Sequence, residues 1–428
     1  MTRLAATVTE KIRRDETLGF EWVGKPLEGF EGDTIASALW ANGVRTWSRS
    51  FEYHRPRGLY DLEGEGSSQL VSIDGLPNQS AGTTPLRRGM RVTAQNVKGD
   101  PRFDPYGVLD RLDRFMPAGF YYRLFHRPYR TWPFFQNRMR ALAGLGELDI
   151  RSRYDAGVRT ELYLNADVAV VGAGPAGLSA ALAAAAHVDR VCLFERRPWL
   201  GGRAEWRVRE RADGEGSVRD AALELAAAVE AHPSIRVFAN APVTGVWGEN
   251  LVTGFQVGPR DGRRAIDGYD ERHWECRARA VVVATGAIER PLVFEHNDRP
   301  GVLQTDTAWR LARHYGVAPG DEVVFSTADD MGLEAAADLA DLGVGIALVA
   351  DARFDGHDAR SLERLRARGV EVLAGWAASK ARGRSVVSSV EIAAWDGDES
   401  RRIDCDALVT SAGRQPELGV LSTAGAHF

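Results

Sequence analysis

Ala166-Asp-Val-Ala-Val-Val-Gly-Ala-Gly-Pro-Ala-Gly-Leu178, followed by an Ala-rich run to Ala186 and by Val191-Cys-Leu-Phe-Glu195, is the stretch that decides the fold. Asp167–Val171 reads as a short buried strand, Gly172–Gly177 as a tight turn, Leu178–Ala186 as a helix and Val191–Phe194 as a second strand. Each part of the turn has a physical task. Gly172 makes the strand-to-helix bend, Gly174 lets backbone approach a pyrophosphate, and Gly177 lets helix and strand pack closely, with Ala173, Pro175 and Ala176 between them. The helix N-terminus then faces the phosphates. Glu195, 18 residues beyond Gly177, sits where a carboxylate can accept hydrogen bonds from ribose hydroxyls.

Outward from this core, Arg196 and Arg197 are expected at the adenine end, or in a solvated turn. The turn Gly201-Gly-Arg203 brings further N–H groups to a second phosphate, with Gly202 and Arg203 expected against it. A helix is predicted over Val218–Ala231, a strand over Ile235–Phe238 and a hairpin region over Val243–Trp247. Val243 and the pair Thr285-Gly286, which ends the apolar run Ala280–Ala284, complete the expected cofactor set. A second βαβ unit is predicted from Asp321: strand Glu322–Phe325, turn Ser326–Asp330, helix Gly332–Leu342 and strand Gly345–Ala350. Its turn lacks the glycines, and Asp329 with Asp330 would repel a pyrophosphate, so the unit reads as structural. Val370–Leu373 and Val386–Ile392 add strands. Cys405–Gly413 echoes the Ala-Thr-Gly crossover. A fold of this type then needs a closing strand, so truncation, or completion by another polypeptide, is expected.

Upstream, Gly32–Gly43 reads as a helix capped by Asp33 or Thr34, and Val44–Tyr53 as a strand leading to His54-Arg-Pro-Arg-Gly58. The residues 115–135 hold nine aromatics, with Arg123, Arg127 and Arg130 interleaved. Such a pattern can bind single-stranded nucleic acid. The plainer reading is an arm that packs domains or subunits together.

The 428 residues suffice for two or three domains, and the net charge of −5 favours neither nucleic acid nor anionic membrane. No leader-like or membrane-spanning apolar run occurs. Cys192, Cys276 and Cys405 are too scattered for a metal site and read as core thiols. A cytoplasmic protein without disulfides is the default expectation, and no residue merits a catalytic or metal-ligand role.

The order of these segments resembles the alpha subunit of heterotetrameric sarcosine oxidase. The resemblance rests on Gly32-Asp-Thr-Ile-Ala-Ser-Ala-Leu39, Arg49–Gly58, Ala118-Gly-Phe-Tyr-Tyr122, Gly172–Gly177, Ala284-Thr-Gly-Ala287 and Asn297-Asp-Arg-Pro-Gly301. It implies an α/β chain: a doubly wound FAD/NAD(P)-binding fold preceded by a small ferredoxin-like α+β domain. The loop Leu59–Ser68, where cluster ligands would be expected, has no cysteine, so no iron–sulfur cluster is expected.

The expected domains are 1–100, ferredoxin-like; 101–164, the aromatic arm; 165–300, the first part of the dinucleotide domain; 301–400, the inserted βαβ domain; and 401–428, an incomplete return. The resemblance further implies bound NAD on the first fold and flavins in a partner subunit and at an interface. Partners of beta, gamma and delta type and a small amine substrate follow from it, with no nucleic acid or membrane. The alternatives are a self-contained reductase with FAD on the first fold, and a nucleotide-bound scaffold without turnover.

Overall fold

The computed structural model describes residues 3–64, 66–115, 127, 129–143, 157–211, 214, 216–258 and 269–426. The motif Ala118–Tyr122 therefore lies outside the described residues. The chain forms two units, one of Met1–Ser152 with Glu289–Gly413 and the other of Arg153–Ile288 with Arg414–Phe428.

The first unit opens with a five-stranded sheet in the order Lys25–Glu31, Arg13–Trp22, Arg91–Ala94, Leu70–Ile73, Leu76–Ser80. Val23 and Gly24, both at positive φ (48° and 77°), make the first hairpin turn, the geometry that matches strand twist. Leu18, Phe20 and Trp22 alternate onto the buried face. Across it lies the helix Ile35–Ala41, buried throughout and started by a capping box between Thr34 and Ser37. The strand expected over Val44–Tyr53 is reduced to Ser48–Arg49, paired with Pro56–Arg57. Trp47, Ser48 and Arg49 are all buried, and Glu52 and His54 take positive φ (65° and 51°), so neither the pleat nor its alternation can continue.

The rest of this unit is a parallel sheet ordered Val302–Gln304, Ala407–Ser411, Glu322–Thr327, Gly345–Asp351, Val372–Ala374. The helices Thr305–Tyr315, Asp330–Asp341 and Ala359–Ala367 accompany it, and Trp376–Arg382, Ser389–Ala394 and Ser400–Asp404 form an antiparallel appendage. The small front sheet is joined to this part by buried polar contacts. Trp40 Nε1 donates to the carbonyls of Ala318 and Pro319, both at 3.2 Å. The Leu62 N–H donates to Thr307 Oγ1 at 3.1 Å, and Arg310 pairs with Glu63 at 3.0 Å. Arg45 lies over the Trp40 ring, and burial pushes its guanidinium down to about 10 against the attraction of Asp406 and Asp321.

The second unit is a six-stranded sheet. Ile235–Phe238, Val191–Phe194, Arg159–Val171 and Glu271–Val283 run parallel, and Leu251–Val257 and Val243–Trp247 follow antiparallel. Its first strand starts at Arg159, eight residues before Asp167. Arg159, Glu161, Tyr163 and Asn165 alternate outward, which gives the sequence a charged and unpatterned look while the backbone pairs continuously with Glu271–Val283. The helices Pro175–Ala185 and Val218–Ala231 cover one face. Phe194 stacks on Trp274 (centroids 4.0 Å apart) and on Phe238 (5.1 Å) beneath the other face. No helix among the described residues is long and apolar enough to cross a membrane.

All three cysteines are buried. The Cys405 thiol is pushed from its usual 9.0 to about 12 by burial, with Asp406 and Asp404 adding to the shift. A folded-state value above the unfolded one keeps the full contribution below about pH 9 and loses it as pH climbs towards about 12. Urea midpoints should therefore fall between pH 8 and pH 10.5. Cys405→Ala should show a shallower fall, and identical pH profiles for the two proteins would refute this.

Candidate functional site

Gly172, at φ +98°, turns the chain out of its strand, and a Cβ there would meet the Ala284 carbonyl oxygen at 2.4 Å. Gly177 is tighter still, because its Cβ would lie 1.9 Å from the Gly172 oxygen. Gly174 is different in kind. It has φ −74°, is the helix N-cap, and a Cβ there would meet nothing within 4 Å. Pro175 opens the helix, where its missing N–H costs nothing. No side chain caps this helix, and a side chain on Gly174 would enter open space. A pyrophosphate fits such a place.

The second glycine turn closes the opposite side. Gly201 and Gly202 both take positive φ (108° and 59°), and the Gly201 N–H donates to the Ala173 carbonyl at 2.8 Å. A Cβ on Gly202 would sit 2.8 Å from the Gly174 Cα, so the two turns are brought together at van der Waals distance. Arg203 lies in the following turn, Gly202–Trp206, and is partly buried.

Glu195 is only 4% exposed. Its Oε2 accepts from the Ala173 N–H at 2.8 Å, and its Oε1 accepts from the Arg197 N–H at 2.9 Å. The carboxylate thus ties the tip of the second strand to the glycine turn. A carboxylate has about four lone-pair sites, so it can still accept from ribose hydroxyls. Arg196 is exposed, while the Arg197 guanidinium lies 5.4 Å from the centre of the Trp206 ring. Val243 starts its strand opposite Gly254 and packs on the core beneath the sheet.

Thr285 and Gly286 stand beside the first glycine turn, with Thr285 Cα 3.4 Å from where a Cβ on Gly172 would lie, and they also bond to the C-terminal segment. Thr285 Oγ1 donates to the Glu417 carbonyl at 3.0 Å, and the Glu417 N–H donates to the Gly286 carbonyl at 3.0 Å. They fasten the returning C-terminal segment to the end of the strand Glu271–Val283. Thr285→Val should cost about 1 kcal/mol, the net worth of one such bond, with little change in nucleotide affinity. Unfolding curves and a nucleotide titration would check both halves.

Two residues of the site carry no mark in the sequence reading. Glu205 and Trp206 are 1% and 0% exposed, and a Cβ on Gly201 would come within 2.9 Å of the Glu205 Cγ. The signal for them is the second glycine pair itself, which folds the following residues into a one-turn helix against the first glycine turn.

Two glycine turns in contact, an uncapped helix N-terminus and a buried acid at the next strand tip define the doubly wound fold of the dinucleotide-binding class. Residues 166–428 match the family described as pyridine nucleotide-disulphide oxidoreductase, and the chain belongs to it. It is a sarcosine oxidase alpha-like protein. It is 32% identical over 413 residues to sarcosine oxidase subunit alpha of Rhizobium meliloti (strain 1021), covering 95% of this chain and 40% of that one. The corresponding subunit of Corynebacterium sp. (strain P-1) is 32% identical over 417 residues, covering 95% and 38%. The chain therefore spans about 40% of the length of these relatives. The crystal structure of L-proline dehydrogenase from P. horikoshii shares the fold, with TM-score 0.64 and 21% identity, covering all of this chain and 65% of that one.

Residues 15–97 match the 2Fe-2S iron-sulfur cluster binding domain, so the front domain is of a cluster-binding type, and the expectation of no iron–sulfur cluster is overturned. The side chains within that span do not match the usual donor set. Cys192, Cys276 and Cys405 all lie outside it, and such clusters take about four thiolates. Within the loop, Asp61 Oδ1 accepts from the N–H groups of Glu63 and Gly64 at 2.9 Å each and from Gln69 Nε2 at 3.1 Å. Its Oδ2 accepts from the Gly66 N–H at 3.1 Å.

Proposed function

We propose that this chain is the NAD-carrying part of a multi-subunit, flavin-dependent amine oxidoreductase of the sarcosine oxidase kind. The observation that carries the reading is the open cradle at Gly174, with Glu195 behind it, in a chain similar to sarcosine oxidase alpha subunits over 95% of its length. In this reading Gly172, Gly174 and Gly177 bring backbone to the pyrophosphate, with Gly202 and Arg203 at the second phosphate. Glu195 accepts from the adenosine ribose, and Arg196 and Arg197 flank the adenine.

The alpha-subunit likeness supports partner subunits of beta, gamma and delta type. With them the assembled enzyme would convert sarcosine, water and oxygen to glycine, formaldehyde and hydrogen peroxide. Flavin, when bound in that assembly, supplies the acceptor for the substrate's two electrons. This chain's residues hold and orient a nucleotide, and none of them is placed against a reacting amine.

The test is mass spectrometry of the small molecules that acid releases from the chain alone and from the chain with its partner subunits. The expected result is NAD from the lone chain and flavin only from the assembly. Stoichiometric FAD from the lone chain would overturn the reading in favour of a self-contained reductase.

A further inference from the structure

The second βαβ unit repeats the layout of the first with two of the three glycines of its turn replaced. Thr327-Ala-Asp-Asp-Met-Gly332 follows its strand as Gly172-Ala-Gly-Pro-Ala-Gly177 follows the other. Gly332 keeps the close-packing task of the last glycine, since a Cβ there would meet Thr327 Oγ1 at 2.2 Å and the Ser411 Cβ at 2.9 Å. Asp329 stands at the position of Gly174, the one that must stay open for a pyrophosphate.

Its carboxylate turns inward. Asp329 Oδ1 accepts from the Gly332 N–H at 2.9 Å and from the Ser411 hydroxyl at 2.8 Å, and Oδ2 accepts from the Gly413 N–H at 2.9 Å. Thr327 Oγ1 braces the turn by accepting from the Asp329 N–H at 3.1 Å. The partial positive charge at the N-terminus of the helix Asp330–Asp341 thus already faces an anion.

The ribose half is filled in the same way. Asp351 ends the second strand of this unit, as Glu195 follows that of the first, and it is fully buried. Arg353 covers it, with Nη2 at 2.8 Å from Oδ2 and Nε at 3.1 Å from Oδ1, while Nη1 reaches Asp330 Oδ1 at 2.8 Å. His357 Nε2 lies 3.6 Å from Asp351 Oδ2.

We infer that the second nucleotide fold is closed by its own side chains. Asp329 takes the place of a nucleotide phosphate, Arg353 seals the ribose acid, and the described chain holds one dinucleotide position instead of two. In this role Asp329 is a positioning residue. It trades a ligand site for a clamp on Ser411–Gly413, the segment that hands the chain back to the first fold.

The experiment uses the full chain in two arms. Gly174→Leu blocks the first fold, so any pyridine nucleotide still bound must sit on the second. Calorimetric titration of this variant with NADH and NADPH should show no binding, and one-to-one binding would overturn the inference. In the second arm, hydrogen exchange is followed at the Gly332 and Gly413 amides. Asp329→Ala should speed both about tenfold or more, as loss of a carboxylate acceptor requires. Asp329→Asn, which keeps one acceptor oxygen, should speed at least one of them if the alanine variant fails to fold. Unchanged exchange at both would overturn the positioning role. The NAD reading of the first fold fails separately, by absence of binding in the unaltered chain.

Discussion

Gly177→Ala is expected to cost the dinucleotide unit about 3 kcal/mol or more of stability, and nucleotide binding with it. The added methyl would stand 1.9 Å from the Gly172 oxygen and 3.0 Å from its carbon. Both are backbone atoms of the glycine turn, so no side chain can swing away to make room. Relief requires the helix Pro175–Ala185 to lift from its strand, and that opens the packing of Leu178 and Ala181 against Val170 and Leu193.

Gly174→Ala is the matched contrast. That methyl meets nothing within 4 Å and leaves φ at −74°, an ordinary value for alanine. Stability should stay within about 0.5 kcal/mol of the unaltered chain. Nucleotide affinity should nevertheless fall at least tenfold, because the methyl fills space that the pyrophosphate needs. Urea unfolding followed by nucleotide titration separates the two glycines. Equal stability of the two variants, or unchanged binding by Gly174→Ala, would refute the assignment.

Glu195→Ala is the second large effect, expected at about 3–5 kcal/mol, since each hydrogen bond to an ionised group contributes about 1.5–3 kcal/mol. The carboxylate is 4% exposed, and its loss strands the Ala173 amide in a buried place. The Arg197 amide loses its acceptor at the same time. Glu195→Gln keeps the shape and one acceptor oxygen but turns an NH2 group towards one of the two donors, so about half the loss should remain. Because the same side chain shapes the glycine turn, both variants should lower nucleotide affinity even when folded, the alanine about a hundredfold or more. If Glu195→Ala unfolds at the urea concentration of the unaltered chain, the carboxylate is not the brace described here.

The glycine turn was legible in the sequence because its constraint is local. The positive φ at Gly172 and the close approach of Gly177 to Gly172 are set within a few residues, although Gly172 also packs on the distant Ala284, and the spacing to Glu195 reports the length of one helix and one strand. The inward bonds of Glu195 were not legible, since a carboxylate at a strand tip can face ribose, backbone or both with the same spacing. Thr285-Gly286 reads as cofactor lining because an apolar strand ends there, but its tie to the C-terminal segment is not visible in that pattern. The hydrogen-bond partner of Thr285, Glu417, lies 132 residues away, and no local pattern encodes such a contact. The strand from Arg159 was obscured for a similar reason. Its outward side chains are charged, and what holds it is a long ladder to Glu271–Val283. Glu205 and Trp206 are buried by a turn whose glycines are plain in the sequence, while the contact of Gly202 with Gly174 that sets their place is not local.

The discontinuity of the first unit has a consequence in time. The front sheet is made first, yet the helix Thr305–Tyr315 that receives Leu62 and Glu63, and the carbonyls of Ala318 and Pro319 that receive Trp40, come 245 to 279 residues later in the chain. At ordinary rates of synthesis, about 5–20 residues per second, that is a wait of roughly twelve to fifty-five seconds. During this interval Trp40, fully buried in the finished chain, lacks the partner of its indole N–H. The front domain therefore spends this interval as an unfinished surface, and all six strands of the first nucleotide fold are made while it waits.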